Sequence, residues 1–74
     1  MSIIFVRDAF TDAIGEKGTV LSATMQYSNG GRQQVLTFVV QNPDGSETTV
    51  SDTVSATTDL VTHAKDMGAA FASS

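Results

Sequence analysis

The dipeptide Asn29-Gly30 lies between two stretches of alternating apolar and polar residues, and this arrangement constrains the fold more than any other feature. A type I′ turn requires positive φ at both central residues, which asparagine and glycine adopt readily. The sequence therefore predicts a β-hairpin with a two-residue turn, in which Tyr27 pairs with Arg32. Farther from the turn, the predicted pairs are Met25/Gln34, Ala23/Leu36, Leu21/Phe38 and Thr19/Val40.

Residues 42–45, NPDG, predict a second turn. Proline presets φ for the second position of a type I turn, and the glycine accepts the left-handed conformation of a bulge. Pairing Asn42 with Ser46 places Val50 opposite Phe38, on the more apolar face of the hairpin. A slip of one residue would exchange the faces of the third strand, so the alternation favours this register.

The hydrophobic period changes from two to 3.6 after Ser55, which predicts a C-terminal helix of about four turns. Ser55, Thr57 or Thr58 can cap this helix, and Asp59 suits the positive end of its dipole. A glycine inside a helix costs about 1 kcal/mol relative to alanine, so Gly68 marks a close backbone approach. The apolar stripe consists of Leu60, Val61, Ala64, Met67, Gly68 and Phe71.

The N-terminal segment contains the apolar run Ile3–Val6, which predicts a strand that is covered on both faces. Asp8 can then cap a short helix, with Phe10 and Ile14 one turn apart and Gly15 ending it in the left-handed conformation. The alternative is a loop whose phenylalanine fills the core.

Together these elements predict an α+β fold in a single domain, residues 1–74. The sheet is small and antiparallel, with three to four strands in the order β–(short α)–β–β–β–α, and the C-terminal helix packs on one face. The covered face consists of Leu21, Ala23, Met25, Leu36, Phe38, Val40 and Val50. The opposite, half-apolar face has no element to cover it and includes Val20, Val35, Thr37 and Val39.

The small size of the chain favours self-association. A core of 74 residues seldom supplies more than about 3–5 kcal/mol, and natural chains this short usually add a disulfide, a metal or a partner. The chain has no cysteine and one histidine, so a disulfide is excluded and a Cys/His metal site is disfavoured. We therefore expect a homodimer.

The charge pattern argues against direct nucleic-acid binding. The net charge is −4, and the four basic residues are scattered along the chain, whereas a phosphate-binding surface requires clustered lysine and arginine. The apolar run Ile3–Val6 is too short for a signal peptide or a membrane span. We expect an intracellular, cytoplasmic protein without membrane contact.

The sequence contains only weak motifs for catalysis, metal binding or phosphate binding. His63 is the one candidate for acid–base catalysis, with Asp59 and Asp66 nearby, but a solvated helix face is the favoured interpretation of these residues. The acidic segment after residue 41 lacks the ligand spacing of a calcium loop, and the GEKG segment at 15–18 lacks that of a phosphate loop. We therefore expect no catalytic residues, metal or cofactor.

Tyr27 and Arg32, as neighbours at the hairpin tip, are the best candidates for partner contacts, because both residue types are enriched in binding hot spots. A local cation–π pair is the simpler interpretation. The complete set of candidate contacts is Tyr27, Arg32, Val20, Val35 and Val39.

The sequence thus favours a non-catalytic interaction module that acts as a homodimer. It would be a regulator or inhibitor of a larger protein, or a viral or other assembly subunit. The alternative is a small-ligand binder with a pocket at the dimer seam, lined by Tyr27, Arg32 or His63.

Overall fold

A computed structural model describes residues 3–74 of the chain. Its elements are α1 (Ile3–Ile14), β1 (Thr19–Ser28), β2 (Gln33–Gln41), β3 (Glu47–Ser55) and α2 (Leu60–Ser73). The three strands form one antiparallel sheet in the order β1-β2-β3, so β2 is central and β1 and β3 are the edges. The α+β class and the C-terminal helix on the sheet are confirmed, and the strand count is three.

The prediction of a strand at Ile3–Val6 is wrong, because these residues form the first turns of α1. The last residue of the run is buried together with Phe10 and Ile14, a spacing of four that defines one helical stripe. Tertiary packing therefore overrides the strand preference of this β-branched and aromatic run. Asp8 lies inside the helix rather than at its cap, while Gly15 follows α1 with φ 58°, as predicted.

The β1–β2 hairpin forms, but its register differs from the prediction by two residues. Asn29 and Gly30 have φ of 51° and 66°, the positive values expected at both positions. Gly31 is also left-handed, with φ 86°, so the connection is longer than two residues and Ser28 pairs with Gln33. Because the shift is an even number of residues, most side chains remain on their predicted faces.

A β-bulge near the start of β1 does change the faces. The register shifts between Val20 and Ser22, so Val20 pairs with Val40 and packs against the core. Leu21 is 49% exposed and is not opposite Phe38. The predicted faces of Val20 and Leu21 are therefore wrong, because the extra residue of a bulge interrupts the alternation of side chains.

The β2–β3 register is the predicted one. Phe38 pairs with Val50, and the Asn42 backbone N–H donates to the Ser46 carbonyl over 2.7 Å. Gly45 has φ 91°, so it adopts the left-handed conformation that the turn requires. The proline and glycine of the NPDG segment thus fix both the turn and the strand pairing.

Helix α2 begins one residue after Asp59, which is its N-cap. The Asp59 carboxylate accepts hydrogen bonds from the Val61 backbone N–H at 3.2 Å and from the Thr62 hydroxyl at 2.9 Å. The capping role predicted for Ser55, Thr57 or Thr58 is therefore wrong. The predicted apolar stripe is confirmed, with buried Leu60, Ala64, Met67 and Gly68 and half-buried Val61 and Phe71.

The core lies between the two helices and one face of the sheet. The ring of Phe10 in α1 stacks on that of Phe38 in β2, with centroids 4.0 Å apart and planes 3° from parallel, and Phe71 lies 6.4 Å from Phe10. The helices approach closely at Gly68, where a Cβ would lie 2.5 Å from the Cβ of Ala13. The close approach predicted at this glycine is confirmed.

Candidate functional site

An open groove of about 600 Å³ lies between α1 and the first half of β1. Strand β1 is an edge of the sheet, and no further strand in residues 3–74 pairs with its outer side. The groove is therefore bounded by a helix on one side and by an unpaired strand edge on the other. Its lining includes Ile3, Ile4, Arg7, Val20, Leu21 and Ala23.

Two large apolar side chains in this groove are about half exposed. Ile4 on α1 is 52% exposed and Leu21 on β1 is 49% exposed. The bulge explains the exposure of Leu21, because Leu21 is the extra residue of the bulge and has no partner in the β1–β2 register. Phe5 is 65% exposed but is not part of the lining, because it lies outside the side of α1 that carries Ile4, Asp8 and Thr11.

The groove also contains one charge of each sign. Arg7 and Asp8 both line it, and the Arg7 Nη2 lies 3.1 Å from the Asp8 Oδ1. Their side chains are about half exposed, and an exposed ion pair contributes at most about 1 kcal/mol to stability. The pair therefore contributes little to the fold, and its two charges leave the groove electrically neutral.

The two edges of the sheet differ in how they are protected against pairing with another strand. Strand β1 reads TVLSATMQYS over ten residues, with no charged residue and no proline. Strand β3, the other edge, carries Glu47 and Asp52. Natural proteins prevent edge pairing with charges, prolines, short strands or bulges. In β1 the bulge at Leu21 is the single such device, and the segment from Ser22 to Ser28 pairs regularly with β2.

The structure separates Tyr27 from Arg32. Tyr27 pairs with Gln34, while Arg32 lies in the turn, where its backbone N–H donates to Asn29 and its carbonyl accepts from Ala56. No cation–π contact joins the two side chains in the described chain, and Tyr27 is 73% exposed. The predicted cross-strand pair is therefore wrong, because the turn is longer than two residues. A role for either residue in partner binding stays a prediction.

The three valines predicted to contact a partner lie in two different places. Val35 and Val39 are half-buried on the uncovered face of β2, as expected, whereas Val20 packs against the core on the other face. The side chains around Val35 and Val39 are mostly hydroxyl and amide groups. The neighbouring positions on the edge strands are Ser22, Thr24, Gln26, Thr49, Ser51 and Thr53.

His63 forms a hydrogen bond with Asp52 that the sequence analysis did not predict. Its Nε2 lies 2.7 Å from the Oδ2 of Asp52 in β3, and its side chain is 22% exposed, so His63 is not simply part of a solvated face. Of its predicted carboxylate neighbours, Asp59 is the helix cap. The β2–β3 register could have revealed Asp52, because this residue pairs with buried Leu36 and so lies on the covered face.

The Asn42–Ser46 turn has its own hydrogen bonds. The Asp44 carboxylate accepts from the Ser46 hydroxyl at 2.6 Å and from the Ser46 backbone N–H at 2.9 Å, and these bonds lower the pKa of Asp44. The carboxylate thus stabilises the turn. Across residues 3–74, no group of three or more histidine, cysteine, aspartate or glutamate residues is placed to hold a metal ion.

The fold and the groove define a small α+β protein whose sheet has one uncharged, unpaired edge. Neither α1 nor α2, the two α-helices of the described chain, is long and apolar enough to cross a membrane. Comparison of the chain with protein-family models, curated proteins and solved structures gave no match.

Proposed function

We propose that this protein is a non-catalytic interaction module that acts as a homodimer. The observation that carries the proposal is the groove beside the β1 edge, in which Ile4 and Leu21 are each about half exposed. Exposed apolar side chains that share one concave surface are typical of interaction sites. A second copy is the partner most reliably present, and two-fold association is the commonest closed arrangement.

The size of the core supports the same proposal. The fully buried large side chains are few, and a core of this size supplies only about 3–5 kcal/mol. The chain has no cysteine and therefore no disulfide to add to this stability. Association stabilises a folded state by mass action, so the homodimer should become more stable as its concentration rises.

Sedimentation velocity and light scattering from micromolar to millimolar concentration test the homodimer. The expected mass is twice the 7.7 kDa of the chain, with a melting temperature that increases with concentration. A mass of 7.7 kDa at every concentration, with a constant melting temperature, would refute the proposal.

A regulator of a larger protein and an assembly subunit remain the two forms of this proposal. Affinity capture followed by mass spectrometry distinguishes them: a regulator recovers a different protein in fixed stoichiometry, and an assembly subunit recovers further structural subunits. A catalytic activity that is lost on changing His63 to alanine, while the fold is retained, would contradict the non-catalytic assignment.

The size of the groove favours a second candidate function, small-ligand binding. Ligand pockets typically measure about 300–1,000 Å³, and the groove measures about 600 Å³. Tyr27, Arg32 and His63 do not line it, so the residues first expected in a pocket are not those of the groove. A thermal-shift screen against a metabolite panel tests this candidate. A stabilising compound whose effect disappears in Leu21→Lys would support it, and a panel without effect would count against it.

A further inference from the structure

We propose that two copies associate edge to edge through antiparallel pairing of β1 with β1 of the second copy, which forms a continuous six-stranded sheet. This inference rests on the proposed homodimer and specifies its interface. It replaces the uncovered face of Val35 and Val39 by the strand edge as the surface of association.

The first argument for this interface is the chemistry of the β1 edge. An edge strand presents a row of unpaired backbone N–H and C=O groups, which another strand can satisfy. The β1 sequence offers no charge or proline to prevent this, whereas β3 carries Glu47 and Asp52. A two-fold axis places the same edge of a second copy opposite in antiparallel orientation, so donors meet acceptors in both directions.

The second argument for this interface is the position of the groove beside β1. When two antiparallel strands are related by a two-fold axis perpendicular to the sheet, the helix-covered faces of both copies lie on the same side. Pairing over Ser22–Ser28 places Ser22 opposite Ser28 of the second copy, so each groove lies at one end of the junction, beside the turn that follows Ser28 in the other copy. Leu21, about half exposed in one copy, becomes buried against this turn. Burial of apolar surface contributes about 25 cal/mol per Å².

The charges in the groove are compatible with a second copy. Strand β1 carries no charged residue, so two copies bring no like charges together along the paired strands. Each groove keeps its own Arg7 and Asp8, which pair with each other and leave the groove neutral, so it does not repel the second copy.

The bulge restricts where the strands pair. Because a bulge bends the strand and interrupts its ladder, pairing is confined to the regular segment from Ser22 to Ser28, a length of about 23 Å. A standard interface buries about 800 Å² on each partner. That area is less than a fifth of the 4444 Å² surface of the monomer, so such an interface requires only a minor share of that surface.

Four lysine substitutions test the interface. Leu21→Lys places a charge in the groove, and Thr24→Lys brings two lysines near each other across the axis. The matched controls are Thr53→Lys, an exposed threonine on the far edge strand, and Val39→Lys on the uncovered face. By sedimentation equilibrium, we expect Leu21→Lys and Thr24→Lys to raise the dimer Kd about tenfold, and both controls to change it less than twofold.

The outcomes separate this inference from the proposed function. A wild-type dimer that Val39→Lys splits, while Leu21→Lys and Thr24→Lys leave it intact, would overturn the edge interface and keep the homodimer. A monomeric wild type would overturn both. Circular dichroism checks that each variant is folded. If Leu21→Lys does not fold, Thr24→Lys alone tests the edge interface.

Hydrogen exchange of the wild-type protein tests the β1 edge interface independently. Amides on the outer side of β1 should become protected as concentration rises, and those of β3 should not. Protection of β1 that does not depend on concentration, in a sample that is dimeric at the high end, would contradict edge pairing.

Discussion

Changing Gly68 to alanine tests the packing of α1 against α2, and we expect it to destabilise the protein. The glycine is buried in α2, and its added Cβ would lie 2.5 Å from the Cβ of Ala13 and 3.0 Å from the carbonyl oxygen of Phe10. Both distances are shorter than ordinary contacts, and the backbone oxygen cannot move independently of α1. The helices must therefore separate.

Two opposing free energies set the size of this effect. Alanine is favoured over glycine inside a helix by about 1 kcal/mol. Overpacking of a filled core costs about 1–3 kcal/mol, and separating the helices also loosens the contacts around Phe10. The net expectation is a loss of about 1 kcal/mol. For a domain of this size, that loss lowers the melting temperature by about 4–8 °C.

Thermal and urea unfolding of four proteins measure this effect: the wild type, Gly68→Ala, Ala13→Gly and the double variant. Because Ala13→Gly removes the nearer clashing atom, the double variant should lose less stability than the two single losses added together. Ala70→Gly, at an exposed position of α2, measures helix propensity alone. If Gly68→Ala instead stabilised the protein by about 1 kcal/mol, the helices would not meet at this residue and the reasoning would fail.

Three further expectations concern the core, the second turn and the hydrogen bond between His63 and Asp52. Phe38→Ala should abolish cooperative melting in circular dichroism, since its cost of about 3–5 kcal/mol equals the stability expected of the whole core; a melt within a few degrees of wild type would show that Phe38 is not buried. Ser46→Ala should raise the pKa of Asp44 in an NMR titration by removing the hydroxyl donor. The folded-state pKa of Asp44 is lowered, so its stabilisation is present above the unfolded pKa and is lost as the pH falls through the folded value; a wild-type pKa at or above the ordinary value would contradict this. A double-mutant cycle of Asp52→Asn and His63→Gln should give a coupling of about 1 kcal/mol or less, because the aspartate is half exposed; a coupling above about 2 kcal/mol would indicate a buried pair.

The sequence predicted those parts of the fold in which local chemistry and hydrophobic period agree. The turn between Asn42 and Ser46 needs its proline and glycine, and the alternation on both sides then permits one register. The stripe of α2 has the helical period over its whole length, so its buried face followed directly. Gly68 was informative because a glycine inside such a stripe has a cost that close packing explains.

The errors came from residues whose local preference conflicts with their tertiary position. Ile3–Val6 consists of β-branched and aromatic residues, so it resembles a strand, but it completes the stripe that buries Phe10 and Ile14. Length and context decide between a short strand and a helix, since an apolar run of four has no period. The bulge at Leu21 has no glycine or other mark in the sequence, so the exchange of Val20 and Leu21 could not be predicted.

The candidate site depends on these unpredictable features. Its helical wall exists because Ile3–Val6 is helical, and its exposed leucine lies there because of the bulge. The sequence could, however, have shown that β1 lacks charge and proline throughout, once β1 was placed at an edge. It also contained the information for the His63–Asp52 pair, because the predicted β2–β3 register already placed Asp52 on the covered face.

The position of the helices explains why association at the edge is favoured over stacking of the uncovered faces. Two helices cover one face of three strands and bury its apolar residues, and the other face retains two half-buried valines among hydroxyl and amide groups. Such groups are well hydrated, so stacking two of these faces would cost hydrogen bonds with water and gain little apolar contact. At the β1 edge, association satisfies backbone groups and buries Leu21 against the turn of the second copy in one step. The free energy available from association therefore concentrates at the edge, where Leu21→Lys should weaken the dimer and Val39→Lys should not.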